Sequence, residues 1–245
     1  MSGHSKWASI KHKKGALDAK RGKIFTKMAA EIAVAAQDGA DPAMNFKLRL
    51  AIQKAKAANV PATNIERAIA KGSGQGGGAK LEELVYEGYG PAGVAIMVKA
   101  LSDNRNRTSP EIKSTFSKHG GSMGGQGSVA YLFEQKGVII CKPDAEKDNL
   151  SLAAIEAGAD DIDDTGQQLV IFTSPNKLEN VRDALGKDNI DSAEVKQEPS
   201  QTVVVEDESK AKTILNLMEA LDDLDDVVEV TSNFDIPESI LSKLE

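Results

Sequence analysis

Along the first third of the chain the apolar positions recur at helical spacing. Over residues 19–38, Ile24, Met28, Ile32 and Ala35 share one stripe, with Lys20, Arg21, Lys23 and Lys27 beside it, and Asp38-Gly39 is the natural stop. Asp41-Pro42 supplies an N-cap and a first-turn proline, predicting a second helix over 42–58 through Leu48, Ile52 and Ala55, ended by Asn59. Thr63-Asn-Ile-Glu66 has capping-box spacing and opens a third, shorter helix that stops at Gly72. Three helices with short links predict an all-helical N-terminal domain, residues 1–79.

From Leu84 the period changes to that of strands. Leu84–Glu87 and Val94–Leu101 read as strands joined by a Gly-Pro-Ala-Gly turn at 90–93. Ser109-Pro110 starts a helix through Ile112 and Phe116 that ends at Gly120-Gly121, and Ser128–Phe133 reads as a third strand. A self-contained run follows: strand 137–141, helix 147–157, an edge near 160–164, strand 168–173, helix 177–185 and strand 190–197, in the order of a β-α-β-β-α-β split sandwich. Val203–Glu206 reads as a short strand or a link. Ser209 caps a helix bearing Ile214, Leu217, Met218 and Leu221, and Val227–Val230 is the final strand. That last helix and strand complete the unfinished middle sheet. The expected fold is therefore α+β with three domains: the helical one, a split α/β sandwich at 80–134 plus 205–245, and a ferredoxin-like α/β domain inserted at 135–204.

Composition sharpens this picture. The 245 residues are 40% hydrophobic and 27% charged, which suits a folded, soluble protein, while aromatics at 4% leave little for stacking platforms. No stretch of 18 apolar residues predicts a membrane span, and the N-terminal residues lack the apolar region of a secretory signal, so a cytoplasmic location is expected. The net charge of −7 conceals a division: residues 1–71 hold 14 Lys/Arg against 5 Asp/Glu, whereas 141–245 hold 9 against 26. Such a basic module suits a phosphate backbone. It equally suits basic helices docked onto the acidic remainder of the same chain.

Candidate chemistry is thin. Gly72-Ser-Gly-Gln-Gly-Gly-Gly78 contains G-x-G-x-x-G, but a helix precedes it where a dinucleotide site needs a strand, and the stretch reads as a linker. The carboxylates at 160–164 miss calcium-loop spacing, and Asp222-Asp223 with Asp225-Asp226 read as a solvated turn. Neither a nucleophile elbow nor an H-E-x-x-H helix is present, and the single cysteine, Cys141, reads as a buried core thiol. No enzyme activity, metal or cofactor is expected.

A nucleic-acid surface is the better-supported reading. Lys6, Lys11, Lys13 and Lys14 can neutralise phosphates, while His4, Ser5, Ser9 and His12 offer hydrogen bonds. Trp7 either stacks on a base or anchors the arm. Lys20, Arg21, Lys23 and Lys27 extend the basic surface. Arg105 and Arg107, in the link before the Ser109-Pro110 helix start, present planar donor forks, and the glycines of 119–127 allow Ser122, Met123 and Gln126 to lie close to a partner. Asn45, Arg49 and Gln53, at i, i+4, i+8, are the best candidates for reading a groove. No dimer interface is legible.

The opening block Met1–Lys14, Asp18–Lys27, Asn64-Ile-Glu-Arg-Ala-Ile, Tyr86–Gly93, Thr108–Lys113 and Gly120-Gly-Ser-Met-Gly together resemble the YebC/PmpR family over essentially the whole chain. The resemblance implies three domains, one helical and two α/β, with the third inserted into the second. It implies a cytoplasmic DNA-binding transcriptional regulator. The family also contains a mitochondrial translational activator of cytochrome oxidase subunit I, and members similar to ribosome-associated factors that relieve stalling on proline-rich stretches. DNA or ribosomal RNA, and the ribosome itself, are thus the implied partners.

Overall fold

The computed structural model describes residues 19–75, 77, 79–164 and 168–244, with the side chains of 19–21 outside that set. Its architecture is α+β, a helical region followed by two four-stranded sheets and their helices.

Helix α1 (Ala19–Ala35) tightens into a 3₁₀ turn over Ala36–Asp38 and stops at Gly39, whose φ of 144° suits glycine alone. Helix α2 (Phe46–Ala57) starts four residues later than the Asp41-Pro42 signal predicts. Asp41 instead accepts a turn hydrogen bond from the Ala43 N–H at 2.9 Å. The cap is Asn45: its Oδ1 accepts from the Leu48 N–H at 3.0 Å, and its Nδ2 donates to the Ala35 and Gly39 carbonyls. One buried amide thus both caps α2 and fixes the end of α1. Helix α3 (Ala62–Gly72) has no capping box, because Pro61 is its N-cap residue and Thr63 already lies inside it. Ile32, Ala36, Leu48, Ala55, Ile65 and Ala68 form the core between the three helices. At Gly72 a Cβ would stand 2.1 Å from the Ala33 carbonyl oxygen, so glycine is what lets α3 close on α1.

The first sheet pairs β1 (Glu82–Tyr89), β2 (Ala95–Ser102), β3 (Ser122–Met123) and β9 (Val227–Ser232) in the order β3-β1-β2-β9, antiparallel throughout. One face is covered by α4 (Arg105–Lys118), α7 (Glu208–Asp222) and α8 (Glu238–Leu244), with Ile96, Val98, Ile112, Phe116, Ile214, Leu217 and Met218 in the shared core. Helix α4 starts at Asn104, which caps the Arg107 N–H, and not at Ser109; Pro110 falls inside it and forgoes one internal hydrogen bond. Helix α7 is likewise capped by Asp207 and not by Ser209. Of the expected strand over 128–133 only Phe133 is in a strand: a 3₁₀ turn spans Ala130–Leu132, where the Glu87 carboxylate takes the backbone N–H groups of Val129 and Ala130. Strand β8 (Val203–Val204) falls within the expected 203–206 segment and runs parallel to β10 (Phe234–Asp235), which the sequence reading does not anticipate.

Between β3 and β9 the chain builds a second sheet from β4 (Phe133–Cys141), β5 (Asp161–Asp163), β6 (Val170–Thr173) and β7 (Ile190–Pro199), in the order β5-β6-β4-β7. Helices α5 (Lys147–Glu156) and α6 (Leu178–Leu185) pack on it around Ile139, Ile171, Leu178, Val181 and Leu185. Cys141 lies in this core, and burial pushes its thiol above the ordinary cysteine range.

Candidate nucleic-acid interface

His4, Ser5, Lys6, Trp7, Lys11, His12, Lys13 and Lys14 lie outside the described residues. Lys20 and Arg21 occupy the first turn of α1. Lys23 and Lys27 follow one and two turns along the same row, and both face the acidic turn that follows α7. The Lys23 ammonium donates to the Asp223 carbonyl at 2.9 Å and stands 3.6 Å from the Asp225 carboxylate. The Lys27 ammonium donates to the Asp222 carbonyl. These carbonyls end a 15-residue helix, where unpaired C=O groups concentrate negative partial charge. Two of the cations expected to meet phosphate are therefore docked within the chain.

On α2 the groove-reading row does not stand free. Asn45 is buried in its capping role. The Arg49 guanidinium donates to the Pro42 carbonyl at 2.7 Å and to the Glu179 carboxylate of α6 at 2.5 Å, while lying over the Phe46 ring. Of the three, only Gln53 is exposed.

Beside this row, α1 and α2 meet both sheets across a cleft of about 690 Å³. Lys54 projects into it, 3.1 Å from Glu31 and 3.6 Å from Glu194, with Glu229 close by. Burial opposes its charge, but the carboxylates of Glu194 and Glu31 more than offset this and hold its pKa above the ordinary lysine value. Burial acts the other way on Glu229, raising its pKa against the pull of Lys54, Lys99 and Lys196. Among the described residues no group of three or more His, Cys, Asp or Glu is arranged to hold a metal ion.

Arg105 and Arg107 lie in the first turn of α4 and not in the loop before it. Arg107 pairs with Asp226 at 3.0 Å and with Asp103 at 3.4 Å, whereas Arg105 is exposed and has no ion pair among the described residues. The sequence places Asp226 in a solvated turn, yet it is largely enclosed and accepts from Thr108 Oγ1 at 2.6 Å and Ser102 Oγ at 3.0 Å. Burial would raise its pKa, but these hydroxyls and Arg107 outweigh that and lower it.

The glycine-rich segment is built around one carboxylate that sequence reasoning missed. Glu87, 5% exposed, accepts from the N–H groups of Gly127, Val129 and Ala130 at 2.6, 2.7 and 2.8 Å. The Val129 and Ala130 amides are among those a strand over 128–133 would have offered to a neighbour, and here Glu87 takes them instead. The three bonds outweigh the burial and keep the Glu87 pKa below its ordinary value. Ser122, in β3, is exposed, while Met123 is half-buried against the first-sheet core. At the end of the loop Tyr131 is 72% exposed, the one large aromatic so placed among the described residues.

Similarity to known proteins extends over the same regions. A family model for the TACO1/YebC protein N-terminal domain matches residues 5–75, and one for the TACO1/YebC second and third domain matches residues 81–234. A Halothermothrix orenii protein named "Probable transcriptional regulatory protein" is 50% identical over 250 residues, covering 100% of this chain and 99% of that one. A Geobacter sulfurreducens protein of the same designation is 50% identical over 247 residues, covering 100% of both. The crystal structure of a conserved hypothetical protein from Aquifex aeolicus is 46% identical and superposes with a TM-score of 0.84, covering 91% of this chain and 94% of its own. By both family models and by full-length relatives at this identity, the chain belongs to the TACO1/YebC family.

Proposed function

We propose that this protein is a non-catalytic, nucleic-acid-binding regulator of gene expression. Its arm at residues 4–14 and the basic row of α1 grip the phosphate backbone, and Arg105 with the Ser122–Met123 edge adds a second contact. The observation that carries this reading is the concentration of 14 cationic residues in the first 71, against 5 acidic ones, in a chain whose net charge is −7. The organisation that goes with it is a helical unit at 1–79, a split unit at 80–134 plus 205–245, and an insert at 135–204.

The name carried by the relatives makes DNA-bound transcriptional regulation the first form of this proposal. A ribosome-associated role in translation, including relief of stalling on proline-rich stretches, is the second. One observation favours the second: Asn45 is buried as the α2 cap, so the Asn45–Arg49–Gln53 row does not present all three side chains to base edges in a major groove. Contacts to backbone and to exposed loops suit structured RNA.

Sedimentation of a lysate on a sucrose gradient, with and without nuclease, separates the two. Co-migration with ribosomal particles that is lost on charge reversal at Lys11, Lys13 and Lys14 supports the translational form. A protein that stays at the top at low salt, yet binds promoter DNA in preference to scrambled DNA, supports the transcriptional one. If neither is seen, the proposal fails.

A further inference from the structure

Lys23 with Asp225, Arg49 with Glu179 and Lys54 with Glu194 are ion pairs that join the helical region to the rest of the chain. In each of these the cation belongs to the helical region and the carboxylate to α6, to β7 or to the turn after α7. The Lys27 hydrogen bond to the Asp222 carbonyl has the same polarity. The charge division of the sequence is thus also an internal docking arrangement, in which acidic surfaces meet the cations that a polyanion would seek.

The three pairs are not equivalent. Lys54 is held between Glu31 and Glu194 inside the cleft. At the surface, the Lys23 and Asp225 side chains retain 49% and 82% exposure, and the Arg49 pair is also reachable from solvent. Exposed pairs of this kind are weak and screened by salt. A phosphate, like a carboxylate, offers an ammonium or a guanidinium anionic acceptor oxygens, and it can take a guanidinium bidentately.

We propose that the Asp222–Asp225 turn and Glu179 act as an internal competitor for the nucleic-acid face of the helical unit, so that Lys23, Lys27 and Arg49 exchange these partners for phosphates on binding. This rests on the nucleic-acid reading above. The Lys54 cluster keeps the units attached while the outer contacts exchange.

The test uses the full-length protein and a fluorescently labelled single-stranded RNA of mixed sequence, read by anisotropy at low and moderate salt. The variant D225N/E179Q, the clasp variant, removes the two outer carboxylates. Its control, D148N/E156Q, makes the same charge change at exposed positions of α5. The competitor account expects D225N/E179Q to bind about fivefold tighter than wild type at low salt, a gain that shrinks as salt rises, with the control within about twofold. A clasp variant no tighter than the control overturns it. If wild type binds, loses binding on charge reversal at Lys11, Lys13 and Lys14, and the clasp variant matches the control, competition fails and the nucleic-acid reading stands. If neither wild type nor the clasp variant binds, both fail.

Discussion

The Lys54 ammonium of α2 lies 3.6 Å from the Glu194 carboxylate of β7, and this contact ties the helical region to the second sheet inside the cleft. Glu31 holds the same ammonium from α1, at 3.1 Å, and Glu229 reaches toward it from β9. One lysine is therefore shared by three parts of the fold.

Replacing it with a neutral side chain leaves three carboxylates facing one another across the cleft. K54M is expected to cost about 1–3 kcal/mol, below the ~3–5 kcal/mol of a fully buried pair because 31% of the side chain remains exposed. Since the folded pKa lies above the ordinary 10.5, this stabilisation is complete below that value and is lost only as alkaline pH rises through the folded pKa. Denaturant unfolding at neutral pH checks the loss, and a K54M protein as stable as wild type would contradict the shared-lysine account.

Glu87 gives a pH dependence of opposite sign. Its folded pKa is below the ordinary 4.5, so it contributes stability above that pH, lost as the pH falls through the folded value. E87Q keeps one acceptor oxygen but turns an NH₂ group toward backbone N–H donors. The expected cost is about 1–3 kcal/mol at pH 7, with a shallower acid limb in thermal unfolding between pH 7 and 3. Unchanged stability together with an unchanged acid limb would rule out the carboxylate as the organiser of the 127–130 loop.

Two glycine-to-alanine changes in helices should move stability in opposite directions. Gly22, inside α1, has nothing within 4 Å of the point where a Cβ would sit, so G22A should gain about 0.5–1 kcal/mol from helix propensity. At Gly72 the same methyl meets the Ala33 carbonyl at 2.1 Å, and α3 must move off α1, a cost of about 1–3 kcal/mol. Melting temperatures of the two variants, measured side by side, check the pair. G72A as stable as G22A would mean the helices do not close as described.

The elements are legible where periodicity is strong. Helix α7 and the β-α-β-β-α-β run follow directly from Ile214, Leu217, Met218 and Leu221 and from the alternation of apolar runs with turns. The starts of α2 and α4 are not, because Asp41-Pro42 and Ser109-Pro110 carry the stronger local signal while the caps are Asn45, whose amide also holds the end of α1, and Asn104. A strand over 128–133 does not form because the Glu87 carboxylate, distant in sequence, takes the Val129 and Ala130 amides. For the site, charge segregation is visible in the sequence, and so is its second meaning. Which cations dock internally depends on the Asp222–Asp226 turn reaching α1 and α4, a contact no local pattern encodes.

The central claim is that the helical unit holds a phosphate backbone. The most direct measurement is the affinity of the full-length protein for a labelled structured RNA and a DNA duplex of equal length across a series of salt concentrations, for wild type and for the Lys11/Lys13/Lys14 charge reversal. The account predicts binding whose logarithm falls linearly with log salt, with a slope that drops by about one unit or more in the charge-reversed protein. Salt-independent binding, or equal binding by the two proteins, would contradict it.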